Sequence, residues 1–166
     1  MKLDGEFLRL SGVRFERLMP GPLERVWACL TECDKLAPWY GKDGMIEPRE
    51  GGRVEFMDGH VLGVVTRWRP PTRLTYSWNV FAPGQTKSEY PESYLSLDLA
   101  PAGAAVKLTL THLPVLERFE AQNAMGWHTY LDMLRTMLLG EEIQPRKVYM
   151  EKNAKLYGVD LNNLAR

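Results

Sequence analysis

The sequence has little cysteine and no excess of charge of either sign. Its 166 residues include two cysteines, Cys29 and Cys33, which are too few for a disulfide framework. Their four-residue spacing does not make a metal site, because a site needs more than two ligands. Lys and Arg together number 21, as do Asp and Glu, so the formal net charge is zero. We therefore expect reduced thiols in the cytoplasm and no nucleic-acid partner.

Long apolar runs and motifs of known chemistry are also missing. No stretch approaches the roughly 20 apolar residues of a membrane span, and residues 1–12, MKLDGEFLRLSG, carry charges throughout, unlike a secretory signal peptide. The hydrolase motif G-x-S-x-G, the zinc-protease motif H-E-x-x-H and the phosphate-loop motif GxxxxGK[ST] do not occur. We predict no membrane span, metal, cofactor or catalytic residue. Whether the chain is an enzyme stays open, with a non-enzyme favoured.

Most of the chain shows the alternation of apolar and polar residues that is typical of half-buried β-strands. The alternating segments are GVRFERLM (12–19), GGRVEFMDG (51–59), RLTYSWNVF (73–81), YLSLDLA (94–100) and AVKLTLTHL (105–113), and HVLGVVTRW (60–68) is interpreted as a further strand that runs on to Pro70-Pro71. Asp58-Gly59 predicts a hairpin turn, and Pro70-Pro71 ends one strand and turns the chain. Strands with one wet face are typical of an antiparallel sheet.

Helical spacing predicts two short helices after the first strand and one long helix near the end. Leu23, Val26, Trp27 and Leu30 share one face of the first helix. Thr31 and Asp34 resemble a capping box, which predicts that a second short helix begins there. Residues 119–139 predict the long helix, and Trp127 and Tyr130 belong to its apolar stripe.

These elements predict an α+β fold with a single core. The inner face of the sheet must be buried, and the long helix is the only element large enough to cover it. We therefore expect a curved antiparallel sheet wrapped around the long C-terminal helix, in a domain of residues 1–140. Residues 141–166 are predicted to form a C-terminal extension, helical from about Pro145 to Tyr157. Packing on the domain's own surface and a homodimer contact are both left open for this extension.

Several phrases of the sequence resemble a known family. They are PLERVWACLTECDKLAPWYG (22–41), EGGRVEF (50–56), GVVTRWRPPTRLTYSW (63–78), VKLTLTHL (106–113) and GWHTYLDML (126–134). In this order they resemble the START-like (SRPBCC, helix-grip) superfamily, over residues 13–139. Within it, they resemble the branch of homologues of the activator of the ninety-kilodalton heat-shock protein's ATPase. The superfamily includes lipid carriers, hormone receptors, cyclases and aromatases, so the resemblance is more specific for fold than for function.

The resemblance implies a cavity between the sheet and the long helix. The residues predicted to line it and bind a ligand are Trp39, Phe56, Tyr76, Trp78, His112, Trp127, Tyr130 and Leu131. Residues 39–56, WYGKDGMIEPREGGRVEF, are interpreted as the rim and first wall of the pocket. His112 is expected to be half-exposed near a strand end, and His128 is expected on the wet face of the long helix.

Three functions are consistent with these observations. The favoured one is binding of a hydrophobic or aromatic small molecule, whose identity the sequence does not indicate. The second is a cyclase-like or aromatase-like enzyme that orients a bound ligand, with His112, Tyr76 and Tyr130 as the residues to mutate first. The third is a protein-binding module that acts on a chaperone.

Overall fold

The computed structural model describes residues 5–165. In this range seven strands form one antiparallel sheet with the order β1-β7-β6-β5-β4-β3-β2. Their bounds are β1 Ser11–Pro20, β2 Met45–Ile46, β3 Arg53–Phe56, β4 Val61–Arg69, β5 Arg73–Val80, β6 Ser93–Ala102 and β7 Ala105–Val115. The two longest pairings join β7 to β1 and to β6, so β7 lies inside the sheet and β1 forms one edge.

The helices follow the predicted order. Helix α1 spans Leu23–Thr31, α2 Cys33–Leu36, α3 Glu120–Leu138 and α4 Arg146–Tyr157, and a single 3₁₀ turn at Glu117–Phe119 leads into α3. The inner face of the sheet packs against α3, where Leu131 and Leu134 are buried. The predicted α+β helix-grip architecture is confirmed. Within residues 5–165 no helix is both long enough and apolar enough to cross a membrane.

The predicted turns lie where the sequence placed them. Strands β3 and β4 form a hairpin in which Phe56 pairs with Val61, and Met57 and Asp58 take positive φ angles of 55° and 54°. Asp tolerates this left-handed conformation better than most residues, and glycine follows it directly. Pro70 and Pro71 lie in the turn between β4 and β5, where Arg69 pairs with Arg73.

Two details of the sequence analysis are corrected. The capping box is wrong, because Thr31 is the last residue of α1 and its hydroxyl donates to the carbonyl of Trp27 at 2.9 Å. Helix α2 begins at Cys33 without a side-chain cap. Strand β2 was not predicted, because two residues are too few to show an alternation. It is identified only by its antiparallel pairing with β3.

The chain after α3 packs back on the domain through α4. Asn153 of α4 is fully buried and donates to the hydroxyl of Thr129 on α3 at 3.2 Å. Nδ1 of His128 lies 2.9 Å from the hydroxyl of Tyr157. The expectation that His128 faces water is therefore wrong, because α4 and the ring of Phe15 cover it.

Candidate functional site

A cavity of about 770 Å³ lies between the sheet and the first half of α3. The end of β5, the start of β6 and the end of β7 form one wall, and α3 forms the opposite wall. The loop of residues 81–92 borders the mouth, where Gln85 and Glu89 are exposed. This volume is in the range of small-molecule sites, which are typically about 300–1,000 Å³.

Aromatic rings make up much of the wall. The rings of Trp78 and Trp127 meet edge to face with centroids 5.4 Å apart. Near the mouth Tyr90 and Phe119 meet in the same way at 5.3 Å, and the guanidinium of Arg118 lies 4.8 Å from the centre of the Phe119 ring. Such walls favour flat, apolar ligands, because burial of aromatic surface supplies most of the binding free energy.

A directed chain of hydrogen bonds crosses the cavity wall from α3 to the sheet. The indole N–H of Trp127 donates to Nδ1 of His112 at 3.0 Å, and Nε2 of His112 lies 2.8 Å from Oγ of Ser93. Since an indole can only donate, Nδ1 must accept, and the ring proton is on Nε2. His112 therefore donates to Ser93, and the Ser93 hydroxyl donates to the carbonyl of Trp78 at 3.2 Å.

Burial determines the charge of His112. It lowers the pKa of His112 from 6.5 to about 4, although a hydrogen bond from Asn123 acts in the opposite direction. The imidazole is therefore neutral near pH 7, which agrees with the tautomer that Trp127 imposes. The expectation of a half-exposed histidine is wrong: His112 is 2% exposed, because β7 continues beyond it to Val115.

The eight predicted ligand-binding residues lie in two places. Trp78, His112, Trp127 and Tyr130 line the 770 Å³ cavity. Trp39, Phe56, Tyr76 and Leu131 instead line an inner void of about 10 Å³, which Trp127 separates from the cavity. A void of this size holds about one water molecule at most.

Residues 39–56 border this inner void. The indole of Trp39 donates to the carbonyl of Cys29 at 2.8 Å, which fixes the turn after α2 against α1. Gly52 is needed because a Cβ there would lie 2.5 Å from the carbonyl oxygen of Glu47. The stretch supplies Trp39, Tyr40 and Phe56 to the void, whereas Met57 and His60, just beyond it, reach the open cavity.

Sequence reasoning missed several residues of the site. Tyr40 stacks on Tyr130 with centroids 4.6 Å apart, and burial raises its pKa well above the usual value. Ser93 and Asn123 meet His112 from 19 and 11 residues away in the chain. A lone serine and a lone asparagine carry no periodic signal, so only the folded chain brings them together.

The end of the C-terminal extension reaches the cavity. The backbone N–H of Ala165 donates to Oε1 of Gln122 on α3 at 2.9 Å, and both residues line the cavity. The extension therefore borders the site as well as covering the outer side of α3. Within residues 5–165 no group of three or more His, Cys, Asp or Glu side chains could hold a metal ion.

Comparison with known proteins agrees with this architecture. Residues 20–139 match the family described as activator of Hsp90 ATPase homolog 1-like protein. No curated protein matches the chain. A Bordetella parapertussis protein solved by NMR is 28% identical over 95% of this chain and 93% of its own, with a TM-score of 0.69. CalU16 from Micromonospora echinospora is 25% identical over 89% of this chain and 86% of its own, with a TM-score of 0.68. An HSP90 activator from Plasmodium falciparum, 18% identical over 79% of this chain and 97% of its own with a TM-score of 0.66, shares the fold alone.

Proposed function

The chain belongs to the family of activator of Hsp90 ATPase homolog 1-like proteins, and from this premise we propose that it binds a flat, largely apolar small molecule in the cavity between the sheet and α3. Apolar burial supplies most of the affinity, and the few polar groups orient the ligand. The free thiols of Cys29 and Cys33 agree with a cytoplasmic location for this activity.

One observation carries the proposal: the position of Gly126. This glycine lies in the interior of α3 and lines the cavity. Glycine within a helix costs about 0.5–1 kcal/mol relative to alanine, yet a Cβ at this position would meet no atom within 4 Å. Packing therefore does not require glycine here. Its effect is to leave room beside α3, which a binding site needs and a solid core does not.

The hydrogen-bond directions argue against the enzymatic alternative. Ser93 and His112 are separated like a nucleophile and its general base, with 2.8 Å between Oγ and Nε2. A base must accept the hydroxyl proton, but here Nε2 carries the proton and the only lone pair of the ring, on Nδ1, accepts from Trp127. His112 is therefore a structural group that holds the wall of the cavity.

The chaperone-activating alternative has no comparable support in the site. The activity of the Plasmodium relative belongs to that protein, and at 18% identity the shared feature is the fold. A fold of this kind carries many functions, so the cavity is the better guide.

A neutral aromatic probe tests the proposal. We expect N-phenyl-1-naphthylamine to bind the purified protein with one site per chain, measured by the rise of its fluorescence. The variant Gly126→Leu should weaken binding by placing a large side chain in the cavity, whereas Gly126→Ala, the matched control, should bind the probe and be about 0.5–1 kcal/mol more stable. Circular dichroism checks that both variants are folded. Absence of binding to the wild type, or equal binding to folded Gly126→Leu, would overturn the proposal.

A further inference from the structure

Strand β1 has one edge without a partner strand. Within residues 5–165 it pairs only with β7, along Ser11–Pro20. On the outer face of the sheet this strand carries Arg14, Glu16 and Leu18, and all three are exposed. The free row of backbone N–H and C=O groups on such an edge is able to pair with another chain.

Residues 5–10 precede β1 directly and form an apolar arm that belongs to no helix or strand. Its three large apolar side chains are Phe7, Leu8 and Leu10, which are 94%, 75% and 69% exposed. A group of exposed apolar side chains of this size is typical of a contact surface. The arm therefore presents apolar surface that its own domain does not cover.

An apolar hollow of about 370 Å³ lies at the opposite end of β1. Its lining consists of Gly21, Pro22, Leu23, Pro101, Gly103, Ala104, Ala105 and Val106. The arm of the same chain cannot reach it, because the ten residues of β1 span about 30 Å. Phe7 lies only four residues before Ser11, at most about 14 Å along the chain. Only the arm of another copy can enter this hollow.

We propose that two copies of this chain form a twofold dimer, in which the β1 edges pair antiparallel about Phe15 and each arm lies in the hollow of the other copy. In this register Arg14 of one copy faces Glu16 of the second, and symmetry repeats the contact. A shift by two residues would place Arg14 opposite Arg14, or Glu16 opposite Glu16. Like charges directly opposite destabilise a strand pair, so charge selects the register.

The same register also covers exposed apolar residues on the outer face. Leu18, which is 61% exposed, faces Gly12 of the second copy. Gly12 has no side chain and adjoins Leu113, since a Cβ on Gly12 would lie 2.7 Å from Cβ of Leu113. Leu113 is itself 42% exposed, and Leu18 of the second copy covers it.

The arms fit the same register without any further adjustment. Counting along the two antiparallel chains from Phe15, Leu10 faces Pro20 of the second copy. Phe7 and Leu8 then lie beside the residues that follow β1 and line the hollow. One pairing thus satisfies the charges of the strand, its exposed leucine and the apolar arm.

Sedimentation velocity of the full chain over a range of concentrations tests the dimer. We expect the wild type to pass reversibly from monomer to dimer as its concentration rises. Arg14→Glu and Glu16→Arg each place like charges opposite each other at two symmetric positions, and each should raise the dissociation constant roughly tenfold. The double variant Arg14→Glu/Glu16→Arg restores opposite charges and should regain the wild-type dissociation constant.

This recovery cannot come from within one chain. Glu16 also pairs with Lys107 of its own chain at 3.4 Å, and the double variant loses that pair as well. Thermal unfolding checks that all three variants are folded. A wild type that stays monomeric at every concentration would overturn the inference. A dimer that neither reversal weakens, or that the double variant does not regain, would do the same.

The variant Phe7→Ser tests the arm. Phe7 is 94% exposed, so the change leaves the monomer intact. We expect a dissociation constant at least roughly tenfold higher, because burial of this ring is lost twice in each dimer. Leu156→Ser, at a position of α4 that is 66% exposed, is the matched control and should leave the dimer unchanged. Equal dissociation constants for Phe7→Ser and the wild type would overturn the placement of the arm.

Discussion

The side-chain amide of Asn153 on α4 donates a hydrogen bond of 3.2 Å to Oδ2 of Asp132 on α3. The other oxygen of Asp132 accepts from Arg17 on β1 at 3.1 Å. One carboxylate thus joins the edge strand, the long helix and the C-terminal extension. The exposed fractions of the Arg17 and Asp132 side chains are 23% and 16%, so water screens this ion pair only partly.

Removing the amide of Asn153 should destabilise the protein. In Asn153→Ala the hydroxyl of Thr129 and a carboxylate oxygen of Asp132 lose their donor in a buried place. We expect the free energy of unfolding to fall by about 2–3 kcal/mol, because hydrogen bonds to charged groups contribute more than neutral ones. Urea titration measures it, with the exposed neighbour Lys152→Ala as the control. A loss below about 0.5 kcal/mol, typical of surface sites, would contradict this account of the extension.

Gly63→Ala should be far more disruptive than Gly126→Ala. A Cβ on Gly63 would lie 1.8 Å from the carbonyl oxygen of Ser77 on the paired strand, which cannot move without breaking the sheet. We expect a loss of about 3 kcal/mol or more, or no folded protein. Thermal unfolding of both variants gives the comparison. A stable Gly63→Ala protein would show that β4 and β5 can separate at this point.

Acid should destabilise the protein through His112. The pKa of His112 is about 4 in the folded protein, lowered from 6.5 by burial, so the unfolded chain takes up a proton first as the pH falls. The contribution of His112 is complete above pH 6.5 and is lost progressively down to about pH 4. A shift of this size corresponds to roughly 3 kcal/mol.

The variant His112→Gln isolates this effect. Urea titrations at several pH values should give a shallower fall of stability for the variant than for the wild type over that range. The pKa of His128 is also lowered, and burial is the largest cause. His128 is present in both proteins and contributes in the same direction in each, so its effect on stability cancels from the difference. Identical slopes would mean that His112 is protonated in the folded protein at higher pH than its burial implies.

The end of the extension should slow ligand release. Ending the chain after Leu161 removes the contact of Ala165 with Gln122 but keeps α4. We expect N-phenyl-1-naphthylamine to dissociate roughly two- to fivefold faster, since most changes in affinity at a given site appear in the dissociation rate. Stopped-flow dilution measures this rate, and Gln122→Ala in the full chain should reproduce the change. An unchanged dissociation rate in both variants would mean that the extension does not retain the ligand.

Regular elements were predictable from the sequence, and the exceptions have local causes. The long helix predicted at 119–139 is found at Glu120–Leu138, because its apolar stripe repeats over five turns. Strand β2 was not predicted because it is only two residues long. Thr31 was wrongly predicted to cap α2. Its hydroxyl donates to the carbonyl of Trp27 in the preceding turn of α1, and threonine commonly makes either this bond or a helix cap.

The candidate site also has features that the sequence predicts and features that it does not. The aromatic residues of the inner face follow from strand and helix periodicity, and these include Trp78, Trp127 and Tyr130. Periodicity does not distinguish a ring that fills the core, such as Phe56, from one that borders open space. That distinction depends on how far the sheet and α3 separate along their length, which no local pattern records.

The order of the elements, the apolar face of most of them and the family could be predicted from spacing along the chain. The packing of the folded chain sets where the core is solid and where it is open. It also decided the state of His112, since Ser93, Asn123 and Trp127 come from three different positions in the chain and act on one ring. The direction of each hydrogen bond there follows from which atoms can donate, and that is known only when the partners are in place.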